Sequence, residues 1–414
     1  MKIILTIIML NLQVSIAQDI LKSFNLDGFN RFKGKTTYHF KSKLGDLNER
    51  SLIVNRVKGD VIIQGTAGDD IIIIETMNIK SLSKKKAEKL FEQSKSKVSR
   101  NLNSDLFKIE GILMKSPRVN FNYAIELPSH FNLELHTSGG NIGCDQIVGA
   151  IQCQTSGGDI ELVNLSGRVD GKTSGGDILI KDSEGSFTVT TSGGEIEIAR
   201  VDGLLIVKTF GGDIDANHIT GQLTVTTSGG DIELSYIEGE KTVAKTFGGD
   251  IDVDNIKGYL DVITSGGDIE IYSLNGALYA ATSGGDIELN HIDGNINAST
   301  QGGSVYGKYI SGSINATSSG GDLNIIKTGA NNDQDHSISL KALSGDIELV
   351  LPINFSSTID AMVTGTHSSR AIESEFPITI TLGENHVKGS AVIGDGNHPV
   401  TLKSAYGSII IERD

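Results

Sequence analysis

Apolar and polar residues alternate with a period of two through most of this chain, and the alternating blocks recur at a fixed interval. In the stretch TTSGGDIEL at 226–234, Ile232 and Leu234 alternate with Asp231 and Glu233, and Ile237 follows after a bend. Just upstream, Leu223, Val225 and Thr227 alternate with Thr224 and Thr226. Period two sends successive side chains to opposite faces of a strand, so each block predicts a half-buried strand. The same columns return as Leu205, Val207 and Thr209, as Leu260, Val262 and Thr264, and as Ile296, Ala298 and Thr300. No helical period competes with them.

Eleven Gly-Gly pairs punctuate these blocks, the first beginning at Gly139 and the last at Gly320. Their spacing is 18 residues throughout, except for one step of 19 between Gly229 and Gly248. Such a period predicts a β-solenoid, a single-stranded β-helix in which each 18-residue repeat is one coil stacked on the next. The expected order is strand, single-Gly corner, strand, Gly-Gly corner. A tight corner calls for positive φ or close backbone approach, which glycine tolerates. Thr beside the Gly-Gly at ten successive coils forms a ladder whose hydroxyls can bond along the stack. At about 4.8 Å per coil, eleven coils make a rod of roughly 50 Å.

The pattern divides the chain into four parts. Residues 1–17 (MKIILTIIMLNLQVSIA) have a Lys, an apolar run and small residues Ser15 and Ala17, as in a cleaved export signal. Residues 18–136 are irregular strands plus one short helix covering the solenoid start, 137–327 are the eleven-copy solenoid, and 328–414 are a C-terminal β region and cap. The helix is expected in SLSKKKAEKLFEQSKSKVSRNL, with Ala87, Leu90, Phe91, Ser94 and Val98 on one face. No later run is long and apolar enough for a transmembrane segment.

Composition agrees with the array: Gly is 50 of 414 residues, Pro only 5, and Trp is absent. The net charge of −15 is unevenly spread. Residues 19–136 hold 20 basic and 14 acidic side chains, whereas 137–414 hold 15 and 37. An acidic body argues against nucleic acid as a partner. Two cysteines, Cys144 and Cys153, are too few for a disulfide framework. Both fall at inward parity in one coil, where either a disulfide or two buried thiols would fit.

An export-type N-terminus, VNRVKGDVIIQG, a charged helix, and YAIELPSHFNLELHTSGGNI precede the serial TSGGDIEL phrases. SGDIELVLP and a closing GSAVIGDGN…SAYGSIIIE follow them. In this ordered series the chain resembles the bacterial putative-adhesin family of exported β-solenoid domains. The resemblance implies a secreted or envelope-associated, non-catalytic solenoid and carries no active-site residues over.

Candidate chemistry is sparse. One column holds Asp159, Asp177, Glu195, Asp213, Asp231 and their successors, and a second, two residues on, holds Glu161, Glu197, Asp215, Glu233, Asp252, Glu270 and Glu288. These columns could attract divalent cations weakly, but the calcium β-roll phrase G-G-x-G-x-D is absent. A solvated face with Asp capping the turn amides is the expected role. His218 and His291 share a column four coils apart, too far to share a metal. Phe210 and Phe247 replace the usual corner Ser and are candidate ligand contacts, able to stack on sugar rings or a protein. The basic helix, with Lys84, Lys85, Lys86, Lys89, Lys95, Lys97 and Arg100 against Glu88 and Glu92, is expected to be a solvated face or a contact for anionic envelope surfaces. A carbohydrate-active β-helix enzyme would need a cleft built by long insertions, and the array has a single one-residue insertion.

The leading expectation is therefore a non-enzymatic exported protein of the cell surface or envelope, with no cofactor or metal. It would present a rigid acidic solenoid for adhesion to an envelope, matrix or surface ligand, protein or glycan. The alternative is a periplasmic structural or regulatory module that binds another protein.

Overall fold

The computed structural model describes residues 22–24, 30–42, 50–81, 83–101, 105–112, 119–328 and 335–414. The expected export signal, residues 1–17, lies outside them. The chain is an all-β solenoid. In the repeated coils each strand pairs in parallel with its equivalent one coil on, so that Ile214 faces Ile232 and Ile232 faces Ile251. The parallel stack also reaches past the Gly-Gly copies. Gly59–Thr66 pairs with the first of them through Val61 and Ile142. At the other end Leu323 pairs with Ile347, and Ile347 with Ile409.

Within one coil, Ile232, Leu234, Ile237, Ala244 and Thr246 point inward and are buried. They join one continuous apolar core that runs from Phe32 to Ile411. Three bends close the coil. The Gly-Gly turn is one, and a glycine such as Gly221, at φ 125°, is another. The third is a column of non-glycine residues from Gln146 to Tyr309, all left-handed at φ between 51° and 60°.

The two glycines of a pair have different reasons to be there. Neither has a left-handed φ. A Cβ on Gly230 would sit 2.1 Å from the carbonyl oxygen of Gly212 in the coil below, whereas one on Gly229 would meet nothing closer than 3.8 Å. Close approach of stacked backbones demands the second glycine.

Thr227 Oγ1 donates to the Gly212 carbonyl at 2.9 Å and accepts from the Gly230 N–H at 3.3 Å. The same bond recurs from Thr137, on Gly59, to Ser404, on Gly345. The hydroxyl ladder thus runs along the stack as the sequence suggests, with the turn carbonyls as its partners. The extra residue of the 19-residue coil is absorbed as a bulge between Glu238 and Lys241, at the single-Gly bend. Lys241 there lies over the Tyr259 ring at 5.7 Å.

At the N-terminal end, Asn30–Lys41 runs antiparallel to Asp70–Ser81, which runs antiparallel to Val119–Pro128. That last strand pairs in parallel with Gly59–Thr66, so the antiparallel ribbon feeds into the first coil. Helix α1, Lys84–Ser94, lies against this ribbon with Ala87 and Ser94 buried and Leu90 and Phe91 packed on the core. Val98 does not share its face, contrary to expectation, but lies in the strand Lys97–Asn101. The helix ends where Lys95 turns to ψ 133° and the Ser96 N–H and hydroxyl go to the buried Glu75 carboxylate, at 3.1 and 2.7 Å. An amide taken by a side chain is no longer available for helical bonding. At the C-terminal end, Ser357–Thr364 pairs antiparallel with His386–Ile393 and parallel with His398–Ser404.

Candidate functional site

The first acidic column is occupied by the fold itself. The amide of Asp231 donates to the Asp213 carboxylate at 2.8 Å, and Asp250, Asp268 and Asp286 repeat the bond at 2.7–2.8 Å. The ladder begins at Asp60, which accepts from the Asn141 amide, and ends with Ser408 on Asp346. Each Asp therefore caps a turn amide of the next coil, which is why this column prefers a short carboxylate or its Ser and Asn equivalents.

The second column has no such partners. Burial, and then the carboxylates of their own and neighbouring coils, raise the Asp215, Asp252 and Glu270 carboxyls above their usual range. Glu161 is raised too, by burial and by Asp145. No group of three or more metal-ligating side chains converges among the described residues.

A shaped site lies instead at the left-handed bend. An open groove of about 550 Å³ is lined there by Asp182, Glu184, Arg200, Asp202 and His218, with Leu165, Ser183 and Val201 among its further lining residues. Arg200 grips Asp182 in the coil below with Nε and with Nη2, the latter 3.0 Å from Oδ2. This fork holds the Asp182 carboxyl below its usual range. Ser166 donates to Glu184 at 2.7 Å. Next along the column, the His218 ring stacks on Tyr236 of the following coil, centroids 4.8 Å apart and planes 21° apart, and Tyr236 is 53% exposed.

Two departures from the repeated phrase coincide here. The inward column beside this bend carries Leu165, Val201, Ile219 and Ile237, all buried, but Ser183 interrupts it. The Leu165 amide then bonds the Ser183 hydroxyl at 3.0 Å, and that hydroxyl donates to the Lys181 carbonyl at 2.7 Å. Sequence reasoning passed over the groove because its bend column, Gln146, Asn164, Asp182, Arg200, His218 and Tyr236, shares no residue type. Two signals were available: the enrichment of Asn, Asp and His in left-handed positions, and the lone Ser in an aliphatic column.

The residues singled out from sequence are placed as follows. Phe210 and Phe247 are 62% and 68% exposed at the Gly-Gly turn, on one edge with Ser228 between them, and neither lines the groove. His218 and His291 lie apart, each stacked on the next Tyr of its column, His291 on Tyr309 at 4.5 Å. Cys144 and Cys153 are buried free thiols. Burial raises the Cys144 thiol well above its usual range and pushes that of Cys153 up to about 12. The basic stretch divides: Lys84 and Lys95 pair with Glu88 and Glu92 on the helix, while Arg100 bonds Asp105 in the ribbon at 2.6 Å. No helix among the described residues is long and apolar enough to cross a membrane.

Residues 200–325 match the family model described as Toastrack DUF4097. A solved structure described as a putative cell adhesion protein from Clostridium sporogenes ATCC 15579 matches at 9% identity and a TM-score of 0.17. That match covers 92% of this chain and 100% of the other. No curated protein matches.

Proposed function

We propose that this chain, whose central coils carry a Toastrack DUF4097 domain, is a non-enzymatic rod of the cell surface or envelope that displays its outer columns for adhesion. The observation that carries this reading is how the coil's polar groups are used. The Thr column and the first Asp column are spent on neighbouring coils. The second carboxylate column and the aromatic residues Phe210, Tyr236, Phe247 and Tyr309 face outward. A scaffold that satisfies its inner ladder in the same way from coil to coil can vary its outer columns at little cost to the fold, which suits a display surface.

Intact cells treated with a protease test the reading, with a known periplasmic protein as control. Degradation of this chain while the control survives is the expected result. Survival of both would overturn surface display and favour a periplasmic module that binds another protein.

A further inference from the structure

We propose that two copies of this chain pair face to face with their rods antiparallel, the basic N-terminal end of one lying over the acidic middle coils of the other. This deepens the display reading, whose outward column it uses, and rests on it only for where the copies meet.

Residues paired directly across strands share a face of the sheet, so the registers trace one outward row through the molecule. The row starts at Thr37 and passes through Ile74, Ala124 and Ile62 to Gly143. Beyond Glu161 and Leu179 it becomes the second carboxylate column, from Glu197 to Glu288. One continuous face therefore joins the antiparallel ribbon to the coils, and its charge is segregated. On Asn30–Lys41 and Asp70–Ser81 it exposes Lys33, Lys35, Lys41 and Lys80 against one carboxylate, Asp70. From Glu195 to Asn290 the row and its two neighbours hold at least two carboxylates in every coil. Among the described residues, no lysine or arginine stands in these rows over that stretch. The raised carboxyls of Asp215, Asp252 and Glu270 are what a face without its own cations produces.

The segregation selects both the occupant and its direction. A copy laid parallel and in register would set carboxylate against carboxylate. A half-turn about an axis parallel to the strands reverses the stack and sets lysines against carboxylates twice, as a two-fold interface requires. With Asn30–Lys41 over the coil of Glu233, Ile62 falls over Leu179. Ile62 is 47% exposed, and Leu179 is the apolar residue that interrupts the row between Glu161 and Glu197. The ten strands from Asn30–Lys41 to the coil of Glu233 then face one another. At about 4.8 Å per strand and roughly 15 Å of width, each copy covers about 650 Å², near the ~800 Å² per partner of a stable interface.

Sedimentation velocity of the purified chain at 0.05 M and 0.5 M salt tests the proposal. A dimer is expected at low salt and its dissociation at high salt, because salt screens exposed charges. Lys33→Glu/Lys35→Glu/Lys41→Glu should weaken the dimer at least tenfold, with an unchanged circular dichroism spectrum. Asp215→Lys/Glu233→Lys/Asp252→Lys should do the same. Mixed together, the two triple variants should form a one-to-one dimer, since each supplies the charge that the other has lost. Lys208, Lys341 and Lys403 share a row on the other sheet of the coil. Reversing them, Lys208→Glu/Lys341→Glu/Lys403→Glu, changes the net charge equally and should leave the dimer intact. A chain that stays monomeric at low salt would leave the face to a basic partner of another kind and overturn the assignment. So would a dimer indifferent to salt, an equal loss in the control variant, or no association in the mixture. The experiment needs no cells, so its failure leaves surface display standing, and survival of the chain in the protease experiment leaves the pairing standing.

Discussion

The repeated coils and the N-terminal ribbon solve one problem, the satisfaction of buried polar groups, in opposite ways. In the coils the Thr or Ser hydroxyl beside the turn meets the same carbonyl partner at successive steps from Thr137 on Gly59 to Ser318 on Gly303, is skipped once at Ala342, and returns with Ser404 on Gly345. In the ribbon the solution occurs once. Glu75, with none of its surface exposed, accepts from the Ser96 amide and hydroxyl and from the Tyr123 hydroxyl at 3.2 Å. A repeated solution spreads stability over many equal contacts, whereas a single one concentrates it. The coils should therefore tolerate loss of any one side-chain bond, and the ribbon should not. Only backbone packing in the coils ought to be unforgiving.

That last point gives the largest expected effect. Gly230→Val places a Cβ 2.1 Å from the Gly212 carbonyl oxygen, and neither backbone can retreat without breaking ladders on both sides. A loss of about 3 kcal/mol or more, or local unfolding, is expected. Gly229→Val places a Cβ at ordinary contact distance, 3.8 Å from the Phe210 carbonyl oxygen, and should cost less than about 1 kcal/mol. Urea denaturation of the two single variants separates them. Equal losses would mean that the turn, and not the stacking distance, demands both glycines.

The asymmetry within the pair marks the limit of what the sequence made legible. The alternation of Ile232 and Leu234 with Asp231 and Glu233, the 18-residue period and the Thr column were enough for strands, coils and ladder. A period cannot say which of two adjacent glycines is in contact, because both recur equally. Nor could it place the left-handed bend, where Asp182, Arg200, His218 and Tyr236 are held by geometry and not by a common side chain. In the ribbon the difficulty was different. Helical spacing put Val98 on the face of α1, but a distant carboxylate, Glu75, takes the Ser96 amide and ends the helix first. Contacts made once between distant segments leave no periodic trace.

Glu75 sharpens the comparison through pH. Burial raises its carboxyl above the usual range, and the bonds from Ser96 and Tyr123 and the charge of Lys95 offset this only in part. A carboxyl raised in the folded state binds its proton more tightly there than in the unfolded chain. Its contribution is fully present below the unfolded value and is lost as pH rises through the folded one. Unfolding of the ribbon should therefore need more denaturant at pH 5 than at pH 7. Glu75→Gln keeps an acceptor without the charge and should flatten that difference. Glu75→Ala leaves the buried Ser96 amide without its acceptor, the Ser96 hydroxyl keeping Tyr123 as a partner, and should cost about 1–3 kcal/mol at either pH. Hydrogen exchange at the Ser96 amide reads this locally. An unchanged pH dependence in Glu75→Gln would remove Glu75 as the source, and would leave the raised Asp215, Asp252 and Glu270, whose shifts have the same sign.

The smallest effect belongs to the ladder. Thr227→Val keeps the shape of the inward side chain but gives up the bonds to the Gly212 carbonyl and the Gly230 amide. One rung should cost about 1–2 kcal/mol. The rungs are equivalent, so Thr173→Val and Thr282→Val should each cost a similar amount, and variants several coils apart should add. Additivity is what a stack coupled mainly through nearest neighbours requires. A pair of distant rungs whose loss exceeded the sum of the singles would show that coils several steps apart are coupled. In that case the coils would share the ribbon's dependence on single contacts, and the contrast between the two regions would reduce to one of pattern alone.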